Sequence, residues 1–315
     1  MSYRAPMHED RILGCLLGLA AGDALGTTVE FQPRGSFPEV TDIVGGGVFD
    51  LEAGQWTDDT SMTLCLATSL VEMGGHDPRD QLERFRRWYR DGYLSSTGSC
   101  FDIGNQTVAA LLDFEATGEP YRPYAGEGSA GNGSLMRVAP LVLAYWRDPA
   151  TAIRLSGDHS RTTHPARACV ESCEAFGELL AAAVAGASKP ELFALAMARA
   201  EQVTTPRLAE ILAGSFRGRD RDAISSSGHV LDSLEAALWA FDATDDFASA
   251  VRLAVNLGDD ADTVGAICGA LAGAFHGSSG IPERWRNRLH DAQLIEKLGL
   301  ALARGIWSVE ALAIP

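Results

Sequence analysis

The chain has 315 residues, 46% of them apolar and 22% charged, so it is long enough to bury a large core and too ordinary in composition to be disordered, collagen-like or one extended coiled coil. Its 26 Lys and Arg against 42 Asp and Glu leave a formal net charge of −16, a balance that repels phosphate backbones and argues against nucleic-acid binding. The cysteines at 15, 65, 100, 169, 173 and 268 lie mostly inside apolar helical-looking stretches with no C-x-x-C pair, which predicts buried free thiols in a cytoplasmic protein.

The opening MSYRAPMHED is polar and carries acids just before the first apolar run, unlike the basic start of a signal peptide. Ile12-Leu13-Gly14-Cys15 looks like a lipoprotein cleavage box but lacks a preceding hydrophobic segment, and no uninterrupted apolar stretch reaches the roughly 18 residues of a membrane span. The expectation is a soluble monomer with no membrane partner.

Apolar residues at helical spacing on an alanine-rich background predict helices near 9–26, 58–74, 79–90, 103–117, 134–147, 165–186, 190–201, 206–216, 230–241, 246–256, 261–276, 283–290 and 292–304. The fold class is therefore all-α. Gly-, Pro- and Ser-rich connections at 32–56, 118–133 and 217–229 are long enough to suggest function, and none has the make-up of a flexible linker, so residues 1–315 are expected to form one domain. Glycines recur every fourth residue at 14, 18, 22 and 26 and again at 265, 269, 273 and 277. Each stripe lies on one helix face and costs about 1 kcal/mol per Gly relative to Ala, which close backbone packing must offset.

Two acidic clusters open helices. Thr57-Asp58-Asp59-Thr60 precedes one, and Asp259-Asp260-Ala261-Asp262-Thr263 precedes the second glycine-striped helix. Capping of backbone amides would account for either cluster alone. Both helices continue as apolar, small-residue segments, however, and no Lys or Arg occurs between Arg34 and Arg79 or between Arg252 and Arg284. Buried carboxylates with no local side-chain cation require another source of positive charge. Carboxylates and threonine hydroxyls without His or Cys suit Mg²⁺ or Mn²⁺. If Thr57, Asp58, Asp59, Asp260, Asp262 and Thr263 converge, they supply enough hard oxygens for two divalent cations, with Glu30 as a seventh ligand. Asp23 reads as structural, bonding backbone donors of a neighbouring turn. Arg137 and Arg161 are the candidates to add positive charge near an anionic ligand.

The segments GCLLGLAAGDALG at 14–26, WTDDTSM at 56–62, FDIGNQT at 101–107, GNGSLMRVAPL at 131–141, THP at 163–165, SGHVLDSLEAALW at 227–239 and GDDADTVGAICG at 258–269 together resemble the ADP-ribosylglycohydrolases, and most closely the bacterial dinitrogenase reductase-activating glycohydrolase branch. The resemblance implies an orthogonal helical bundle with a two-metal cleft that cleaves the bond between ribose C1 of ADP-ribose and an acceptor. It implies metal ligands at Thr57, Asp58, Asp59, Asp260, Asp262 and Thr263, a catalytic set of Asp102, Asp59 and Glu30, and substrate contacts at Asn105, Gly131, Asn132, Gly133, Ser134, Met136, His164 and His229. Asp102 also reads as an N-cap for a helix from Ile103, and Gly131–Ser134 as a diphosphate cradle at a helix start. His229 departs from the tyrosine common in relatives. The expected substrate is an ADP-ribosylated protein, with arginine favoured as acceptor by FDIGN. Serine-linked, nucleic-acid or small ADP-ribosides, a phosphoesterase acting on the diphosphate, and a non-catalytic ADP-ribose-binding relic are the alternatives.

Overall fold

The computed structural model describes residues 7–123, 126, 128 and 130–305. The helices run in the order α1 (Met7–Gly26), α2 (Asp58–Met73), α3 (Pro78–Asp91), α4 (Asn105–Thr117), α5 (Ala139–Tyr145), α6 (Pro149–Thr163), α7 (Arg167–Ala185), α8 (Lys189–Ala200), α9 (Pro206–Leu212), α10 (Val230–Asp242), α11 (Phe247–Val255), α12 (Ala261–His276), α13 (Glu283–Arg286) and α14 (Ala292–Arg304). Among the described residues the only β pairing is two isolated bridges, Gly46 with Leu51 and Gly131 with His229.

The two glycine stripes face each other and set the axis of the fold. A Cβ built on Gly14 would stand 2.3 Å from the Gly273 carbonyl oxygen, on Gly18 2.3 Å from that of Gly269, and on Gly22 2.0 Å from that of Gly265. Residue numbers rise on one helix as they fall on the other, so α1 and α12 are antiparallel. Only glycine lets two backbones approach this closely, and the dispersion attraction between the two helix surfaces offsets the helix-propensity cost. The pairing also brings the C-terminal end of α1 beside the N-terminal end of α12, where a Cβ on Gly26 would lie 2.4 Å from the Asp262 Cα.

From Ile12 onward α1 is surrounded, and apart from Asp23 its residues there are apolar or glycine. The segment Met7–Val29 is long and apolar enough to cross a bilayer, contrary to the expectation of no such stretch, and 89% of its most apolar window is buried inside the protein. A helix that packs on several neighbours carries the same composition as a membrane span, because neither has a face in water.

Two further expectations change. Residues 149–163, not read as helical, form α6, which Asp148 caps by accepting from the Thr151 amide at 3.3 Å, with Pro149 in its first turn. Its Ser, Thr, Gly and His residues are weak helix formers, and packing on α7 decides the outcome: a Cβ on Gly157 would stand 2.4 Å from Glu174 Oε1, and one on Gly177 2.6 Å from Ser156 Oγ. The helix expected from residue 134 begins instead at Ala139, after a tight turn in which the Leu135 and Met136 amides both donate to the Asn132 carbonyl.

Candidate metal centre and cleft

Asp23, in the last turn of α1, organises the start of α2. Its Oδ1 accepts from the Thr57 amide at 2.9 Å and the Thr57 hydroxyl at 3.0 Å, and its Oδ2 from the Thr60 amide at 3.0 Å and the Thr60 hydroxyl at 2.6 Å. This is the backbone-bonding role expected of it. With Thr57–Thr60 fixed to α1 and α12 packed along the same helix, the two acidic clusters meet.

Thr57 Oγ1 lies 3.0 Å from Asp23 Oδ1, 3.1 Å from Asp262 Oδ2 and 3.4 Å from Asp59 Oδ2, while Thr263 Oγ1 lies 3.2 Å from Asp59 Oδ2. One hydroxyl proton cannot serve three carboxylates, so the remaining contacts set oxygen against oxygen. Ligand atoms of Asp58, Asp59 and Asp262 lie within 4.8 Å of one another, as do those of Glu30, Asp102 and Asp262, so Asp262 belongs to both groups. Asp59 Oδ1, Asp262 Oδ1 and Glu30 Oε2 are buried with no hydrogen-bond partner.

Burial first, and then repulsion among the carboxylates, pushes the whole cluster upward in pKa. Glu30 rises to about 10, Asp102 to about 7, and Asp58, Asp59 and Asp262 well above the carboxylate range. Burial also raises Asp23, to about 6, and Asp260, against the hydrogen bonds each accepts. The unpartnered, hard-oxygen donor set fits a divalent cation, which would satisfy these atoms and restore the charged forms.

The cluster forms the floor of a cleft of about 340 Å³. Glu30, Phe31, Asp58, Asp102, Asp260 and Thr263 line it together with Asn105, Gly131, Asn132, Gly133, Met136 and His164. A second groove shares Asn105, Gln106, Gly131 and Gly228 with this cleft and continues past His229 and Arg122. Glu30, Phe31, Asp58 and Asp102 line only the first, whereas Asp260 Oδ2 lies 3.5 Å from the Cβ position of Gly228, where cleft and groove meet.

The family model for ADP-ribosylglycohydrolases matches residues 4–311. The chain belongs to the ADP-ribosylglycohydrolase family. It is 44% identical over 293 residues to the ADP-ribosylarginine hydrolase Tri1 of Pseudomonas putida, covering 93% of this chain and 78% of that one. It is 34% identical over 292 residues to the ADP-ribosyl-[dinitrogen reductase] glycohydrolase of Rhodospirillum rubrum, covering 90% and 92% of the two chains. A solved structure described as an ADP-ribosylglycohydrolase-related protein complex superposes with a TM-score of 0.84 at 47% identity, over 95% of this chain and 99% of that one. This ADP-ribosylglycohydrolase is a glycosidic-bond hydrolase that releases ADP-ribose.

Several positions expected in an ADP-ribosylglycohydrolase site have roles that the sequence alone did not define. Asp102 does not cap α4, since Gly104 occupies that position; it stands in left-handed backbone at φ 57° with its carboxyl facing Glu30 and Asp262. Asn132 reaches across to Asp260 and Ser233 through its side-chain amide, at 2.5 and 2.8 Å. Ser134 turns away from the cleft: it is fully buried, with Oγ 2.8 Å from Ser160 Oγ. The Gly131–Ser134 segment therefore stands in a turn, and the cleft has no helix N-terminus at that point, because α5 begins later. His229 lines the adjoining groove and not the carboxylate cleft, and its Nδ1 caps α10 by accepting from the Leu231 amide at 3.2 Å.

Arg137 is fully buried, donating to the Gly133 carbonyl at 2.6 Å and to Thr163 Oγ1 at 2.5 Å. Thr163 in turn lies 2.8 Å from His164 Nδ1. With Thr163 accepting from Arg137, its own proton is free to go to Nδ1, the arrangement that places the His164 ring proton on Nε2, the nitrogen nearest Gly131 and Gly133. Burial and then Arg137 hold His164 neutral, well below the usual histidine range. Arg161 instead pairs with Asp158 at 2.8 Å and lines no part of the cleft. Sequence reasoning did not single out Phe31, Gln106, Thr107 or Gly228 as cleft residues, nor Thr63, whose buried hydroxyl lacks a partner one turn after Asp59. Their signal was adjacency to residues already chosen, in Glu30-Phe31, FDIGNQT and SGHV.

Proposed function

We propose that the chain releases ADP-ribose from ADP-ribosylated arginine side chains of proteins, with two divalent cations, Mg²⁺ or Mn²⁺, held by Thr57, Asp58, Asp59, Asp260, Asp262 and Thr263. The observation that carries this reading is Thr57 Oγ1 facing three carboxylates beside the unpartnered oxygens of Asp59, Asp262 and Glu30. Arginine as acceptor is supported by the names of the relatives at 44% and 34% identity. When bound, the cations would neutralise the carboxylates and polarise the ribose oxygens beside C1.

The remaining steps belong to the protein's own groups. Asn105, the Gly131–Ser134 backbone, Met136 and His164 receive the ribose and diphosphate, with the Nε2–H of His164 donated to a phosphate oxygen, and His229 borders the adenosine. Asp102 and Glu30 stand where the acceptor leaves. Asp102 accepts the proton of the attacking water as its oxygen bonds to C1 and the C1–N bond breaks through an oxocarbenium-like state, and the proton passes to the departing guanidine. Asp59 lies beneath, where its charge stabilises the cation developing on the sugar. The buried core from Ile12 to Ala303 forms one cluster, which supports a single domain.

The test incubates the protein and Mg²⁺ or Mn²⁺ with ADP-ribosyl-arginine protein beside a serine-linked control. Free ADP-ribose from the arginine substrate alone is expected. Release from serine alone would contradict the acceptor, and AMP would contradict the bond.

A further inference from the structure

We propose that Phe31, backed by Phe49 and Phe101, forms an aromatic rim on the carboxylate end of the cleft that stacks on the acceptor's guanidinium and selects arginine. This inference rests on the proposed function and adds to it the residues that read the acceptor.

Phe31 lines the cleft yet is 62% exposed. A large apolar side chain left exposed at the mouth of a polar, acid-floored site is not needed for the core. It is built at a conformational cost. Phe31 adopts left-handed backbone at φ 60°, rare for an aromatic residue, and its amide is anchored to the Asp259 carbonyl at 2.7 Å. Gly45, Gly46 and Gly47 all have positive φ, and a Cβ on Gly47 would stand 2.1 Å from the Thr27 carbonyl, so the following turn is drawn against the chain just before Glu30. That turn delivers Phe49 between Phe31 and Phe101, with ring centroids at 6.3 and 5.0 Å. The Phe31–Phe49 planes meet at 73°, an edge contact that supports the rings and leaves aromatic face open.

The charge around the rim identifies the occupant. Asp50 and Glu52 are exposed just beyond Phe49, and Asp102, beside Phe101, faces Glu30 and Asp262, while the nearby arginines are engaged elsewhere: Arg284 and Arg288 at Asp42 and Ile43, and Arg34 at the Leu257 and Ile224 carbonyls. An aromatic face beside a carboxylate-floored cleft suits a planar cation and gives a neutral serine-linked acceptor nothing comparable. Phe31 lines the cleft and not the groove past His229, which puts the rim with the acceptor and not with the adenosine.

The test compares kcat/KM on an ADP-ribosyl-arginine peptide for wild type, Phe31→Leu, Phe31→Ala and Phe49→Ala, with the Kd of ADP-ribose, which lacks the guanidinium, measured by calorimetry on the same metal-loaded proteins. Phe31→Leu and Phe31→Ala are expected to lose about five- to thirtyfold, mainly through KM, with ADP-ribose affinity held within about twofold. Phe31→Tyr, which restores an aromatic face, is expected to recover most of the loss, and Phe49→Ala to lose less than Phe31→Ala. Unchanged kcat/KM in the Phe31 variants, or an equal loss of ADP-ribose affinity, would overturn the inference alone. A wild type that binds ADP-ribose but cannot cleave the arginine peptide would overturn the proposed function and this inference with it.

Discussion

The Phe31 amide donates to the Asp259 carbonyl at 2.7 Å, and the Asp259 amide returns a bond to the Gln32 carbonyl at 2.9 Å, both Phe31 and Asp259 being in left-handed backbone. This reciprocal pair ties the loop after α1 to the loop before α12 and so holds Glu30 against Asp260 and Asp262. Asp259 contributes through its main chain: its side chain is exposed and has one long contact, with Ser226 Oγ at 3.4 Å. Asp259→Asn is therefore expected to keep the full rise in Tm that Mn²⁺ produces, and Asp260→Asn to lose most of it. Thermal melts with and without Mn²⁺ check this; equal losses would mean that the ligand set is misassigned.

The antiparallel glycine contact makes a second prediction. Gly22→Ala sets a methyl group 2.0 Å from a backbone carbonyl that cannot swing aside. The helices must separate, at a cost of about 3 kcal/mol or more, and the acidic clusters separate with them. Urea denaturation should show the loss of stability, and the Mn²⁺-induced shift should fall in the same variant. Gly104→Ala is the contrasting change in stability, since nothing lies within 4 Å of its Cβ position and its φ is −65°.

Both glycine stripes and both acidic clusters were legible in the sequence because helical periodicity converts spacing into a shared face. Their meeting required only that the stripes pack antiparallel. Position 134 misled because Ser134-Leu135-Met136 has helical apolar spacing, while the turn closed on the Asn132 carbonyl is set by contacts with residues 228–230. α6 misled for the opposite reason: its local preferences are poor, and α7 supplies what they lack. Phe31 carried no sequence signal of its own, since its exposure depends on a backbone angle that no composition reveals.

Metal-free protein is expected to lose stability as pH rises. Carboxylates raised in the folded state keep their protons where those of the unfolded chain, near pKa 4, ionise, so the unfolded state binds fewer protons and stability declines from about pH 4 upward. The decline continues through about 7 for Asp102 and on toward about 10 for Glu30. Tm in EDTA should therefore fall between pH 5 and pH 8, and the shift on adding Mn²⁺ should be larger at pH 8. A metal-free Tm that rises over this range would contradict the electrostatic account.

The Arg137–Thr163–His164 chain predicts an effect on ligand binding without loss of a cleft-lining group. Thr163→Val removes the hydrogen-bond partner of Nδ1 and frees the orientation and tautomer of His164. ADP-ribose affinity should weaken about three- to tenfold, the size of one lost neutral hydrogen bond. Calorimetric titration reads this directly, and an unchanged Kd would remove His164 from the diphosphate contacts.

The most direct test of the central claim is mass spectrometry of the products from ADP-ribosyl-arginine protein incubated with the wild type and with Asp59→Ala in Mn²⁺-replete buffer. The account predicts intact ADP-ribose and an unmodified arginine from the wild type, and neither from Asp59→Ala. Equal turnover by the two proteins, or AMP as the released nucleotide, would contradict it.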